Sequence, residues 1–307
     1  MTERWSHQQI PNGEVVKEME KNHSDPDLKY GYQCMTKYLQ IIGYKINHKK
    51  VYRLMKNAGL LRQKQIATDS KDYVKYRVVI PERPLQVLEM DIKMIWIAQD
   101  RRHVFVLSII DTFTRRVLHW SMGYHMQKSQ VKDALRFVIV NHLQPADLLN
   151  KDLNLEFRND NGPQFSAKAI REFMKENHIK QVFTHPYTPQ ENGHIESFHN
   201  ILKTALGDAP FWSFTELEQR LEVFYKKYNQ ERLHGSIAHL PPELFEKCWE
   251  KGYIKRDVIH ADKKATRIKF SLTVSRQELS GIMSPEGVSC LNDEPIDGGS
   301  HLDQRVA

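Results

Sequence analysis

Three apolar runs, near residues 87–96, 104–110 and 116–121, follow one another with gaps too short for a helix. The pattern then changes. A helix is predicted near 129–142, a strand near 154–158, a helix near 166–177, a strand near 180–183 and a helix near 192–206, each from the period of its apolar residues. Strands first, then strands alternating with helices, indicate a mixed α/β sheet covered by helices. A further amphipathic helix over about 214–229 turns Leu217, Leu221, Phe224, Tyr225 and Tyr228 to one side and reads as a helix covering that core.

Three acids stand at informative places in this order. Leu88-Glu89-Met90-Asp91-Ile92-Lys93-Met94 alternates apolar and polar, so Asp91 projects from a strand whose other face is packed. Leu155-Glu156-Phe157-Arg158 breaks into Asn159-Asp160-Asn161-Gly162-Pro163, a turn signal that puts Asp160 at a strand end. Pro186, Pro189 and Gly193 mark an irregular loop, after which Ile195, Phe198, Leu202, Ala205 and Leu206 recur at helical spacing. Glu196, His199 and Lys203 fall on the opposite stripe. Lys203 lies about two turns beyond Glu196 and projects from the same face, toward a phosphate near any bound metal.

Carboxylates suit Mg²⁺, which takes hard oxygen ligands and keeps water and phosphate oxygens in its shell. Two such ions about 3.5–4 Å apart activate the attacking oxygen and stabilise the leaving oxygen of an in-line phosphoryl displacement. Asp91, Asp160 and Glu196 could hold two divalent ions. The bland reading makes them solvated surface charges among the chain's 38 acids, and the turn, the loop and Lys203 weigh against it.

Asp91-Ile92, the run Asn159-Asp160-Asn161-Gly162-Pro163-Gln164-Phe165, the run from Pro186 to Gly193 and Ile195-Glu196-Ser197-Phe198 resemble the integrase core of DDE transposases. The resemblance is to the catalytic OrfB-type subunit of bacterial insertion sequences of the IS-three group, within the retroviral integrase superfamily, and covers about residues 28–248. It implies an RNase H-like fold, with Asp91, Asp160 and Glu196 as catalytic metal ligands. It also implies DNA strand cleavage and joining at terminal inverted repeats, synapsis of two ends and a circular intermediate. The cofactor is then Mg²⁺, two ions, with Mn²⁺ able to substitute. The partners are double-stranded DNA, as transposon ends and target, and further copies of the chain. No leucine-rich heptad segment is visible, so a separately encoded or frameshift-fused helix-turn-helix subunit is expected to recognise the ends. Met90 departs from the small polar residue that many relatives carry before the first Asp.

Residues 1–27 are polar and carry no interpretable motif. Residues 28–61 read as a small helical, helix-turn-helix-like module: Met35, Tyr38, Leu39 and Ile42 share one face, and Asn47 caps a second helix with Val51, Leu54, Met55 and Ala58 inward. Gly59 ends that helix. Its outer face carries Lys49, Arg53 and Lys56, as expected of a helix that approaches DNA, with a solvated basic surface as the alternative. Residues 62–84 form a basic linker that tracks phosphates or is simply solvated. Residues 85–250 are the catalytic core. Residues 251–307 hold a basic stretch, Lys263, Lys264, Arg267 and Lys269, that reads as a solvated strand edge or a DNA contact, and a flexible tail beyond about Leu279.

Other acids and histidines have ordinary readings. Glu89 reads as a solvated carboxylate or as support for Asp91, Glu191 as a helix cap, and Asp111 as the end of a strand. His185 and His199 read as surface histidines or, near the proposed site, as groups that orient water or phosphate, and Arg232 and His234 as DNA contacts or as the frame of a turn. The formal charge of +7 and pI near 9.1 suit a polyanionic partner without requiring one. Cys34, Cys248 and Cys290 show neither a disulfide framework nor a paired zinc motif. No apolar run reaches the length of a membrane span and no signal core opens the chain, so a cytoplasmic, nucleoid-associated bacterial protein is expected. Two other functions remain open: a DNA-binding regulator derived from a transposase without catalysis, and a ribonuclease H acting on hybrids.

Overall fold

The structure is a computed structural model and describes residues 1–4, 6, 8–61, 79–149, 154–184, 192–261 and 264–274. The polar opening segment, in which the sequence offers no motif, is folded. Strands β1 (Thr2–Arg4) and β2 (Gln9–Ile10), helix α1 (Asn12–Ser24), helix α2 (Tyr32–Ile41), strand β3 (Tyr44–Lys45) and helix α3 (His48–Asn57) surround one apolar cluster. α1 contributes Val15 and Met19 to it, α2 contributes Met35 and Leu39, and α3 contributes Val51 and Met55. Asn47 caps α3 as its sequence predicts, accepting from the Lys50 backbone N–H at 2.9 Å. Gly59, at φ +70°, follows the end of α3 in the left-handed region that favours glycine.

This module is pinned to the rest of the chain. Tyr30 donates its hydroxyl to the Glu231 carbonyl at 3.4 Å and accepts from the Leu233 N–H at 3.2 Å. Asp27, itself buried, accepts from both terminal nitrogens of Arg220, at 2.6 and 3.2 Å, and its backbone carbonyl accepts from Arg232. Arg232 and His234 are both buried, so of their two readings the fold takes the structural one.

The central sheet has five strands: β4 (Val87–Ile97), β5 (Arg102–Asp111), β6 (Val117–Gly123), β7 (Glu156–Asn159) and β8 (Lys180–Phe183), in the order β6-β5-β4-β7-β8. β4, β5 and β6 pair antiparallel, while β4, β7 and β8 run parallel. Short turns allow the first arrangement and helical crossovers impose the second. This mixed order with helices on both faces is that of RNase H-like cores. Helix α4 (Lys128–Val138), which passes into a π-helical turn (Ile139–Leu143), covers one face together with α5 (Pro163–Ser166) and α6 (Lys168–Glu176). Helices α7 (Gly193–Leu206) and α8 (Phe214–Gln230) cover the other.

Alternation along β4 sorts its residues between these layers. Leu88 and Met90 join the α4 side and Ile95 and Ile97 the α7 side. Glu89 and Asp91 share the parity of the second set. Helix α9 (Pro242–Glu250) and the hairpin of β9 (Ile254–Ala261) and β10 (Lys264–Leu272) follow, joined to the core where Phe113 meets Phe245, Trp249 and Phe270. The hairpin accounts for the part of 251–307 that is described; Lys263 and the tail lie outside the described residues. Met1–Thr273 form one unit and Val274–Ala307 another. Among the described residues no helix is long and apolar enough to cross a membrane.

Candidate active site

Parallel pairing fixes where the first two acids stand. Val87, Leu88 and Glu89 of β4 face Glu156, Phe157 and Arg158 of β7. That pairing ends at Glu89 and Arg158, two positions short of Asp91 and of Asp160. β7 stops at Asn159, so Asp160 opens the turn. Its carboxylate accepts from the Gly162 N–H at 3.0 Å, while Asn161 donates to the Thr184 carbonyl at 3.0 Å and ties the turn to the end of β8. A Cβ on Gly162 would lie 3.0 Å from the Asp160 carboxylate and 2.6 Å from the Gln164 amide, so both side chains would have to shift to admit one.

Glu196 sits in the first turn of α7, whose apolar stripe of Ile195, Phe198 and Leu202 packs over the sheet. Asn192, at the cap position of this helix, makes no side-chain bond to it. The exposed N–H groups of its first turn are met instead by Glu89, which reaches across from β4. The Glu89 carboxylate accepts from the backbone N–H of His194 at 3.1 Å and of Ile195 at 2.8 Å, and its second oxygen meets His194 Nδ1 at 2.9 Å. Glu89 is fully buried, which corrects its reading as a solvated carboxylate. Burial pushes its pKa up to about 7; the Ile195 N–H and the charges of Arg115 and Arg158 oppose that rise, and Asp91 adds to it.

His199, one turn beyond Glu196, is also buried, and its Nδ1 lies 3.3 Å from Asp91 Oδ2. Its reading as a surface histidine is therefore corrected too. The other Asp91 oxygen accepts from the Ile92 N–H at 2.8 Å. Burial, then the negative charges of Asp91 and Glu89, push the Glu196 carboxyl above its usual range, with His199 acting the other way. Asp91 and Glu196 thus stand in each other's field. Sequence reasoning offered a role beside the site for Glu89 and His199 only as the lesser reading; the one signal for it is position, two residues before Asp91 and three after Glu196.

The remaining candidates stand apart. Asp160 is exposed, Lys203 is exposed on α7, and Lys49, Arg53 and Lys56 are exposed on α3. Tyr32, His48, Lys49, Tyr52 and Arg53 line an open hollow of about 650 Å³ on the module. His185 and the run from Pro186 to Glu191 lie outside the described residues, as does most of the basic linker. Asp111 closes a strand as its sequence predicts, accepting from the N–H groups of Phe113 and Thr114, both at 3.1 Å.

Among the described residues no group of three His, Cys, Asp or Glu side chains is gathered closely enough to hold a metal ion. The donors nevertheless suit a hard divalent cation, because the Asp91 charge raises the proton affinity of Glu196 and a positive charge between the two relieves it.

An integrase core domain model matches residues 81–189, a second integrase core domain model matches 177–242, and an HTH-like domain model matches 11–65. Proteins with this core use divalent metals. The transposase of insertion sequence element IS904 from Lactococcus lactis is 25% identical over 260 residues, which is 80% of this chain and 99% of that protein. The putative transposase InsK of IS150 from Escherichia coli is 25% identical over 241 residues, 75% of this chain and 81% of that protein. A protein of insertion element IS476 from Xanthomonas euvesicatoria is 25% identical over 218 residues, and there the match spans 60% of the relative. Among solved structures, an intasome of simian T-cell lymphotropic virus covers 85% of this chain and 99% of its own at 13% identity, with a TM-score of 0.46. The chain thus carries an HTH-like domain followed by an integrase core, and along about three quarters of its length it is similar to transposases of insertion-sequence elements.

Proposed function

We propose that this transposase cuts and joins DNA strands at the ends of an insertion sequence, with Asp91, Asp160 and Glu196 as the acids that hold its divalent metal. The observation that carries the reading is the pairing of Asp91 and Glu196, two carboxylates from separate elements kept in each other's field with Glu89 and His199 against them. The register of β4 and β7 supports Asp160 as the third ligand. When bound, two Mg²⁺ or Mn²⁺ ions supply activation of the attacking oxygen and stabilisation of the leaving one.

A water oxygen attacks phosphorus at the transposon end, and the bond to the 3′ oxygen breaks to leave a 3′-OH. That hydroxyl then attacks a second phosphodiester, forming one P–O bond as another at the same phosphorus breaks. Lys203 steadies a phosphate two turns from Glu196. Lys49, Arg53 and Lys56 contact the phosphate backbone from α3. Two ends must be held together, so the active form contains more than one copy, and a separate helix-turn-helix subunit recognises the ends. The protein acts in the cytoplasm, on the nucleoid.

Labelled insertion-sequence ends, Mg²⁺ and purified protein test the reading. Nicking and joining are expected from the wild type and not from Asp160→Ala; undiminished activity in that variant removes Asp160 from the site. A hybrid substrate run alongside separates this activity from that of a ribonuclease H.

A further inference from the structure

We propose that Glu89 is the positioning residue of the site: its buried carboxylate fastens the first turn of α7 to β4 and so sets Glu196 against Asp91. This deepens the proposed function and rests on its reading of Asp91 and Glu196.

A helix presents unpaired N–H groups in its first turn, and a neighbouring side chain ordinarily meets them. In α7 the cap residue Asn192 makes no such bond. Two of the groups are met by a residue more than a hundred positions earlier, at 2.8 and 3.1 Å, and the same carboxylate meets the His194 ring at 2.9 Å. Glu89 stands two residues before Asp91 on the same face of β4, and the residues it holds, His194 and Ile195, immediately precede Glu196. One carboxylate therefore ties together the two backbone segments that carry the paired acids.

The apolar stripe of α7 would seat the helix on the sheet in any case, but side-chain packing tolerates small slides along and around the axis. Hydrogen bonds from two successive N–H groups to one oxygen do not. Displacement of about 1 Å in a reacting group is enough to cost on the order of a hundredfold in rate. The polarity also fits, because a carboxylate at a helix N-terminus meets the positive end of the helix dipole. Arg115 and Arg158 act on the same carboxylate and help to keep it in this interior position.

Glutamine at position 89 has the same length. Its carbonyl oxygen can accept from both N–H groups, and its amide can donate to the His194 ring. Alanine removes every contact, and aspartate is too short to keep both ends.

The test compares Glu89→Gln, Glu89→Asp and Glu89→Ala with wild type by amide hydrogen exchange of the peptide spanning Gly193–Phe198, with no metal added, and by nicking of labelled ends across a Mg²⁺ series. Exchange in the first turn of α7 should rise about tenfold or more in Ala and Asp, and stay within about threefold of wild type in Gln. Nicking should fall about a hundredfold in Ala, with a higher half-saturating Mg²⁺ concentration, and recover in Gln. Equal exchange in all four proteins overturns the proposal, and so does a Gln variant as inactive as Ala. If Ala does not fold, the contrast between Gln and Asp decides by the same criteria. A separate Glu196→Gln variant tests the underlying site: full nicking there removes the site reading, while the exchange comparison still decides whether Glu89 fastens the helix.

Discussion

Ser108 and Tyr225 bond to each other at 2.7 Å between β5 and α8, with Ser108 fully buried and Tyr225 nearly so. Ser108 is the cross-strand partner of Asp91, so this bond lies directly under the site. Removing one hydroxyl leaves the other without a partner in the interior, at a cost of about 1–3 kcal/mol. Removing both leaves two apolar groups and a smaller cost, on the order of 0.5–1.5 kcal/mol. Tyr225→Phe keeps the ring that stacks on Trp120 at 4.7 Å, so the comparison isolates the hydroxyl. Ser108→Ala, Tyr225→Phe and the double variant therefore form a cycle in which the single losses sum to about 1–3 kcal/mol more than the double loss. Urea unfolding followed by circular dichroism reads each value, with an unchanged m supporting the comparison. Losses that add to within about 0.5 kcal/mol would show that the hydroxyls do not depend on each other, and the bond would have to be given up.

Gly162→Ala should push the Asp160 carboxylate aside, because the new Cβ meets it at 3.0 Å; metal-dependent nicking should fall about tenfold while stability changes by less than about 1 kcal/mol. Asp27→Ala removes the ion pair with Arg220 from the docked module, and should lower unfolding stability by about 2–4 kcal/mol, discounted from the fully buried case because Arg220 is partly exposed; a loss below about 0.5 kcal/mol in denaturant titration would rule that ion pair unimportant. His234 is held neutral, its pKa lowered to about 3 by burial and then by the charges of Arg232 and Arg115. The unfolded chain takes up this proton below about pH 6.5 and the fold does not, so the stability it contributes is complete above that pH and is lost as pH falls toward 3. At pH 5 the loss is about 2 kcal/mol, and a His234→Asn protein whose unfolding midpoint drops as steeply between pH 7.5 and 5 as the wild type's would contradict it.

The sheet was legible because its signals are local. Alternation over Leu88–Met94, the turn after Asn159 and the stripe of Ile195, Phe198 and Leu202 each report a neighbourhood of a few residues, and the strands and helices stand close to where those patterns put them. Other elements send no such signal. α1 buries only Val15 and Met19 among its apolar residues, and two residues one turn apart in a polar stretch do not mark a helix. The π-helical turn at Ile139–Leu143 is a change of hydrogen-bond partner inside one continuous apolar pattern, so the sequence shows a single helix there.

The site divides along the same line. The proposed ligands Asp91, Asp160 and Glu196 could be named because each stands in a strand, turn or helix start that the chain announces locally. Glu89 and His199 could only be left between two readings, because what decides each of them is a partner on another element: the first turn of α7 for one, Asp91 for the other. An isolated acid between Leu88 and Met90 looks the same whether its side of the strand meets water or a helix about a hundred residues later in the chain. Arg232 and His234 pose the same difficulty, since Arg232 is buried against Asp27 of the N-terminal module and His234 against Tyr228 of α8. Residues that meet substrate or metal must carry particular chemistry, and that chemistry is visible in one dimension. Residues that hold them in place need only the right neighbour, and the neighbour exists only once the chain has folded.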